Sequence, residues 1–144
     1  MICANSRLSP KDLDLMSMKG LECKVVILQT QKSRLVVVVI YRAPSIGMKT
    51  FVERLTCSLD MMPQHVPTII LGDFNDDLAA IAETEPTLIM GRFGFKQFLS
   101  KPTTDWGTTI DHVYCNVDDS NIHIDVHDAY YSDHDMVFFT ANHF

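Results

Sequence analysis

Positive charge is scarce in this chain: 12 lysines and arginines stand against 18 aspartates and glutamates, a formal net charge of −6. That balance argues against indiscriminate binding to a phosphate backbone, although carboxylates gathered at a metal site inflate the count and a bound cation would reverse the local sign. Long hydrophobic runs are missing as well. The longest, Leu35 to Tyr41, is far too short to span a bilayer, and Met1-Ile2-Cys3 lacks the charged start and apolar segment of a signal peptide. The four cysteines, Cys3, Cys23, Cys57 and Cys115, are widely spaced and make no C-x-x-C pair, which argues against a structural zinc site and suits reduced thiols. The sequence has no internal repeat, low-complexity tract or linker. The expectation is an intracellular protein, nuclear or cytoplasmic, with no membrane partner.

What is present suits one domain over residues 1–144: the chain is long enough to bury a sizeable core, and 47% of it is hydrophobic. Ser9-Pro10-Lys11-Asp12 reads as a turn. Cys23 to Gln29 and the β-branched run Leu35 to Ile40 read as a hairpin across the polar break Thr30-Gln31-Lys32-Ser33. The second run does not alternate, so it should be buried on both faces, with layers above and below its sheet. Met48, Phe51, Val52, Leu55, Leu59 and Met62 follow the spacing of an amphipathic helix that Pro63 ends. A short helix is expected over Asp77 to Ala82 and a turn around Phe93-Gly94-Phe95. The last three strands are placed at Thr109 to Asn116, Ile122 to His127 and Met136 to Thr140.

Two tetrapeptides carry the chemistry. Gly72-Asp73-Phe74-Asn75 follows the apolar run Pro67-Thr68-Ile69-Ile70-Leu71, so a buried strand should deliver Asp73 to a sheet rim. Ser132-Asp133-His134-Asp135 precedes the apolar Met136-Val137-Phe138-Phe139, which places Asp133 and His134 in a loop with rigid support. A phosphodiester is anionic and resists attack, so a site that cleaves one needs charge-neutralising groups and groups that activate water. Asp73 suits a metal-activated water, Asn75 a phosphate oxygen, and Asp133 a hard cation. Between the two, alternation through Thr108-Thr-Ile-Asp-His-Val-Tyr114 sets Ile110, His112 and Tyr114 on one face and Asp111 and Val113 on the other. A carboxylate in a strand needs a partner, and His134 is the candidate, since an Asp-His pair fixes the imidazole tautomer and stabilises its charged form.

In this order, Tyr41-Arg42-Ala43-Pro44, Gly72-Asp73-Phe74-Asn75, Thr109-Ile110-Asp111-His112-Val113-Tyr114 and Ser132-Asp133-His134 resemble the endonuclease/exonuclease/phosphatase superfamily. The wording is most similar to endonuclease domains of mobile elements such as non-LTR retrotransposons. The resemblance implies an α/β fold of two stacked mixed β-sheets flanked by helices. It implies Mg2+, with Mn2+ as an alternative, and DNA as substrate. By the same resemblance Tyr41 packs near the scissile phosphate, Asp73 activates the nucleophile or serves the leaving group, and Asn75 binds phosphate. Asp111 pairs with His134, which contacts the phosphate, and Asp133 together with Asp73 belongs to the metal region.

One departure qualifies this. Members of the superfamily normally begin with a strand ending in a functional Asn and another bearing a Glu that is the principal Mg2+ ligand. Neither Asn5 nor Glu22 fits those places, so the chain is expected to be the C-terminal two thirds of such a domain, prone to self-associate or to be completed by a missing N-terminal segment. Three readings follow: a metal-dependent DNA endonuclease impaired by that loss, a non-catalytic remnant or binding module keeping the fold, and a phosphatase or phospholipid phosphodiesterase. Several residues carry two readings. Tyr41 is core or site; Arg42 meets phosphate or ends a strand in solvent; Trp106 stacks on a base or packs over the domain end. His123, Asp125 and His127 form a metal cluster or a solvent-facing edge.

Overall fold

The computed structural model describes residues 9–12, 21–29, 34–63, 65–80, 83–117 and 122–141. Its elements in chain order are β1 (Ser9–Asp12), β2 (Glu22–Gln29), β3 (Arg34–Tyr41), α1 (Met48–Asp60), β4 (Thr68–Asp73), α2 (Glu85–Arg92), β5 (Lys96–Gln97), β6 (Asp111–Cys115), β7 (Ile122–His127) and β8 (Met136–Ala141). The first six strands form a mixed sheet in the order β1-β2-β3-β4-β6-β5, and β7 and β8 pair separately. The expected hairpin is present, β2 and β3 pairing antiparallel from Glu22 opposite Tyr41 to Gln29 opposite Arg34, while its polar break lies outside the described residues. The helix α1 then returns the chain so that β4 lies parallel to β3.

The sheet sorts its side chains by parity, as pleating requires. Val36, Val38, Ile40, Ile70 and Tyr114 face one side, where Phe51, Leu55 and Leu59 of α1 and Met90 of α2 close a core. Leu35, Val37, Ile69, Val113 and Cys115 face the other, covered by Ile122, Ile124 and Val126 of β7 and Val137 and Phe139 of β8. The unalternating run in β3 is therefore buried on both faces. This is the α/β arrangement of stacked sheets with helices; among the described residues the second sheet is the antiparallel β7–β8 pair, and both helices lie on the far side of the larger sheet.

Two local readings of the sequence are corrected. Ser9–Asp12 is a strand, paired antiparallel with β2, rather than a turn; the neighbouring strand supplies the ladder that Ser-Pro-Lys-Asp would not seek alone. Leu78–Ala80 forms turns instead of a helix, and Ile81 and Ala82 lie outside the described residues. The helix that does form, α2, opens on Glu85-Pro86 behind Thr84, where proline lacks a hydrogen the first turn would leave unbonded anyway. The turn at Phe93-Gly94 then leads into β5, as expected. Among the described residues no helix is long and apolar enough to cross a membrane.

Candidate active site

Three of the four family-like segments meet in one row across adjacent strands. Tyr41 at the end of β3 is in register with Asp73 at the end of β4, and Asp73 lies opposite Asp111 at the start of β6. Parity puts all three on the β7–β8 side of the sheet. Tyr41 is 41% exposed, which removes it from the core and leaves it on the rim. Gly72, one residue before the row, approaches β3 so closely that a Cβ there would lie 1.9 Å from the Ile40 carbonyl oxygen, and its φ of +141° disfavours any other residue. That crossing brings the two strand ends together.

The fourth segment comes from the opposite sheet. Asp111 Oδ2 lies 2.9 Å from His134 Nδ1, the contact the sequence suggested. Residues Thr103–Thr109 hold both partners in place. Thr103, fully buried, accepts the Asp111 amide on its hydroxyl at 3.2 Å and the Asp135 amide on its carbonyl at 2.9 Å. Thr104 bridges His134, and the Asp105 amide donates to the Asp133 carbonyl. Nδ1 of His134 faces a carboxylate, so its hydrogen resides there and Nε2 is left for a substrate atom. Desolvation pulls the His134 pKa down, but the hydrogen bond and charge of Asp111, with Asp73 and Asp133 nearby, outweigh it and raise the pKa above 6.5.

Asp73 is partly buried, and that burial is the largest reason its pKa is raised above 3.8; the neighbouring Asp111 charge adds to the rise, while the Asn75 amide, His134 and Arg42 oppose it. A carboxylate with increased proton affinity beside an imidazolium is an acid-base arrangement. Asn75, at φ +47°, bends back onto Asp73: its backbone amide donates to Oδ1 at 2.8 Å and its side-chain amide to Oδ2 at 3.2 Å. The other side-chain hydrogen of Asn75 goes to the Arg42 carbonyl at 2.8 Å, so the amide orients Asp73 in this state.

Two supports belong to no role assigned from the sequence. Arg42 is buried rather than a solvated strand end, and donates to the carbonyls of Phe74 and Ile46 at 2.6 Å and of Asn75 at 2.5 Å. Behind the loop, Phe74 stacks on the fully buried His112 with ring centroids 4.6 Å apart. His112 Nε2 faces the Asp76 carbonyl at 2.7 Å, which can only accept, so the hydrogen sits there and Nδ1 accepts from the Tyr114 hydroxyl at 2.9 Å. Desolvation lowers the pKa of His112 and keeps it neutral. Its spacing from Tyr114 on one strand face was the available signal.

Asp133 is exposed on its loop, and Trp106 is 73% exposed. His123, Asp125 and His127 share the outer face of β7, where Asp125 pairs with Lys101 at 2.9 Å and with His127 at 3.3 Å. Among the described residues no three or more His, Cys, Asp or Glu side chains stand together so as to hold a metal ion.

No protein-family model and no curated protein matches the sequence. Solved structures do match. The endonuclease domain of TRAS1, a telomere-specific non-LTR retrotransposon, superposes with a TM-score of 0.79 at 18% identity, covering 96% of this chain and 70% of that one. The human Nocturnin catalytic domain gives 0.61 at 16% identity over 92% of this chain, and an endonuclease/exonuclease/phosphatase family protein from Leptotrichia buccalis gives 0.58 at 13% over 85%. The chain spans 58% and 54% of the length of those two. Its fold is that of the endonuclease/exonuclease/phosphatase superfamily.

Proposed function

We propose that this chain is a phosphodiester hydrolase that acts on nucleic acid, with DNA as the substrate and nicking as the reaction. The observation that carries this reading is the row Tyr41, Asp73, Asp111, completed across the two sheets by His134 at 2.9 Å from Asp111. Asp73, with its raised proton affinity, takes the proton of an attacking water. His134, held charged by Asp111, offers Nε2–H to a phosphate oxygen as charge builds there on attack by the water, and the leaving oxygen takes a proton from solvent as its bond to phosphorus breaks. Tyr41 stands exposed next to Asp73, where its ring can border the scissile phosphate. The structural likeness to a retrotransposon endonuclease domain supports nucleic acid over other phosphoesters.

Mg2+ or Mn2+ is the expected cofactor on the strength of the resemblance, and Asp73 and Asp133 are the carboxylates proposed to serve it. A second reading is a fold retained without catalysis, favoured by the described residues bringing no three or more His, Cys, Asp or Glu side chains together to hold a metal ion. Incubating the chain with supercoiled plasmid, a phosphomonoester and a phospholipid, each with Mg2+, with Mn2+ and with chelator, separates these. Cleavage of plasmid alone, abolished by chelator, is the expected result; turnover of the monoester or lipid alone moves the substrate class, and inertness towards all three supports the retained fold.

A further inference from the structure

Arg42 makes an unusual set of bonds for a buried cation. Its three guanidinium nitrogens donate to three main-chain carbonyls, those of Phe74, Ile46 and Asn75. Among the described residues no carboxylate pairs with it. Its own backbone joins in: the Arg42 amide donates to the Asp73 carbonyl at 2.9 Å, and the Arg42 carbonyl accepts from Asn75 Nδ2 at 2.8 Å. Every residue from Asp73 to Asn75 is therefore bonded to Arg42. Asn75 sits at φ +47°, a left-handed conformation that asparagine tolerates better than other side-chain-bearing residues but that still has to be selected. In that conformation the Asn75 backbone and side-chain amides both reach the Asp73 carboxylate.

We infer that Arg42 is a positioning residue for the proposed hydrolysis: its planar fork locks Asn75 in the left-handed conformation and so aims the Asp73 carboxylate at the reacting water. A lysine cannot substitute, because one compact ammonium has no rigid fork to span three carbonyls pointing in different directions. The inference rests on the reading of Asp73 as the group that activates water, yet the clamp has a signature of its own in the Asn75 side-chain amide, whose hydrogens are held by two acceptors.

The test uses the full chain and Arg42→Lys, with NMR of the Asn75 side-chain amide and steady-state nicking measured in parallel. In the parent, the Asn75 amide hydrogens should exchange slowly. In the variant they should exchange as a free amide does, while the backbone amides of Val38 and Ile70 keep their protection, and kcat should fall about tenfold or more with KM little changed. A variant with an unaltered Asn75 signal overturns the inference, and so does a kcat loss that only tracks the unfolded fraction. If that variant does not fold, Arg42→Gln is measured in its place: an Asn75 amide that exchanges faster than in the parent upholds the clamp, and one as protected as in the parent, or a freely exchanging amide in the parent itself, overturns it. A parent that shows the clamp but no nicking counts against the proposed reaction, and leaves the clamp as an orienting device for Asp73.

Discussion

Asp73 and His134 answer to pH in ways that fix the sign of several outcomes. Both folded pKa values are raised, above 3.8 for the carboxyl and above 6.5 for the imidazole. Activity that needs Asp73 ionised and His134 charged should rise through the first and fall through the second, giving a bell-shaped pH profile; a profile still climbing in alkali would contradict the imidazolium role. Stability follows by linkage. What the His134–Asp111 contact contributes is fully present below pH 6.5 and is lost as pH climbs through the raised folded value. The melting-temperature gap between parent and His134→Gln should accordingly be wider at about pH 5.5 than at about pH 8.5. Asp73 is also a raised group, so its charge is a burden at neutral pH. Asp73→Asn should abolish nicking yet melt no lower than the parent at about pH 7, with the balance tipping back towards the parent in acid.

Among the elements, the β3–β4 pair is the one on which the site depends, because it carries Tyr41, Arg42 and Asp73 to the same rim. Gly72→Ala would drive a Cβ into the Ile40 carbonyl and should cost about 3 kcal/mol or more in urea unfolding, with loss of activity. A near-neutral result would mean the crossing is looser than described. Phe74 plugs the following loop into the helical side of the sheet, fully buried and edge-on to Phe51 at 5.5 Å. Phe74→Ala should destabilise by about 3 to 5 kcal/mol. Much of this was legible from sequence, for a specific reason: strands β2, β3, β4, β6, β7 and β8 carry their own apolar patterns, and strand alternation alone put Asp111 on the face from which it meets His134. Elements defined by a neighbour were not legible. Ser9–Asp12 becomes a strand only because β2 offers an edge, and the short α2 has too few turns to show a period. Arg42 escaped for a related reason, since its partners are carbonyl oxygens, which every residue has and no sequence pattern marks.

At the scale of the whole molecule, two sheets contribute to one site: the larger supplies Tyr41, Asp73 and Asp111, and the loop entering β8 supplies His134. Residues far apart in sequence converge because both faces of the larger sheet are covered, by helices on one side and by β7–β8 on the other. That convergence is what gives the short motifs meaning together, and it argues for a site tuned as a unit rather than for separate turns. With 12 basic against 18 acidic residues the chain has little charge with which to neutralise phosphates, so binding to DNA should be weak and only shallowly dependent on salt. The measurement that bears most directly on the account is relaxation of supercoiled plasmid by the purified chain with Mg2+ or Mn2+, beside Asp73→Asn and His134→Ala at equal folded concentration. The account predicts open circles from the parent and none from either variant; equal relaxation by all three, or none by the parent, would contradict it.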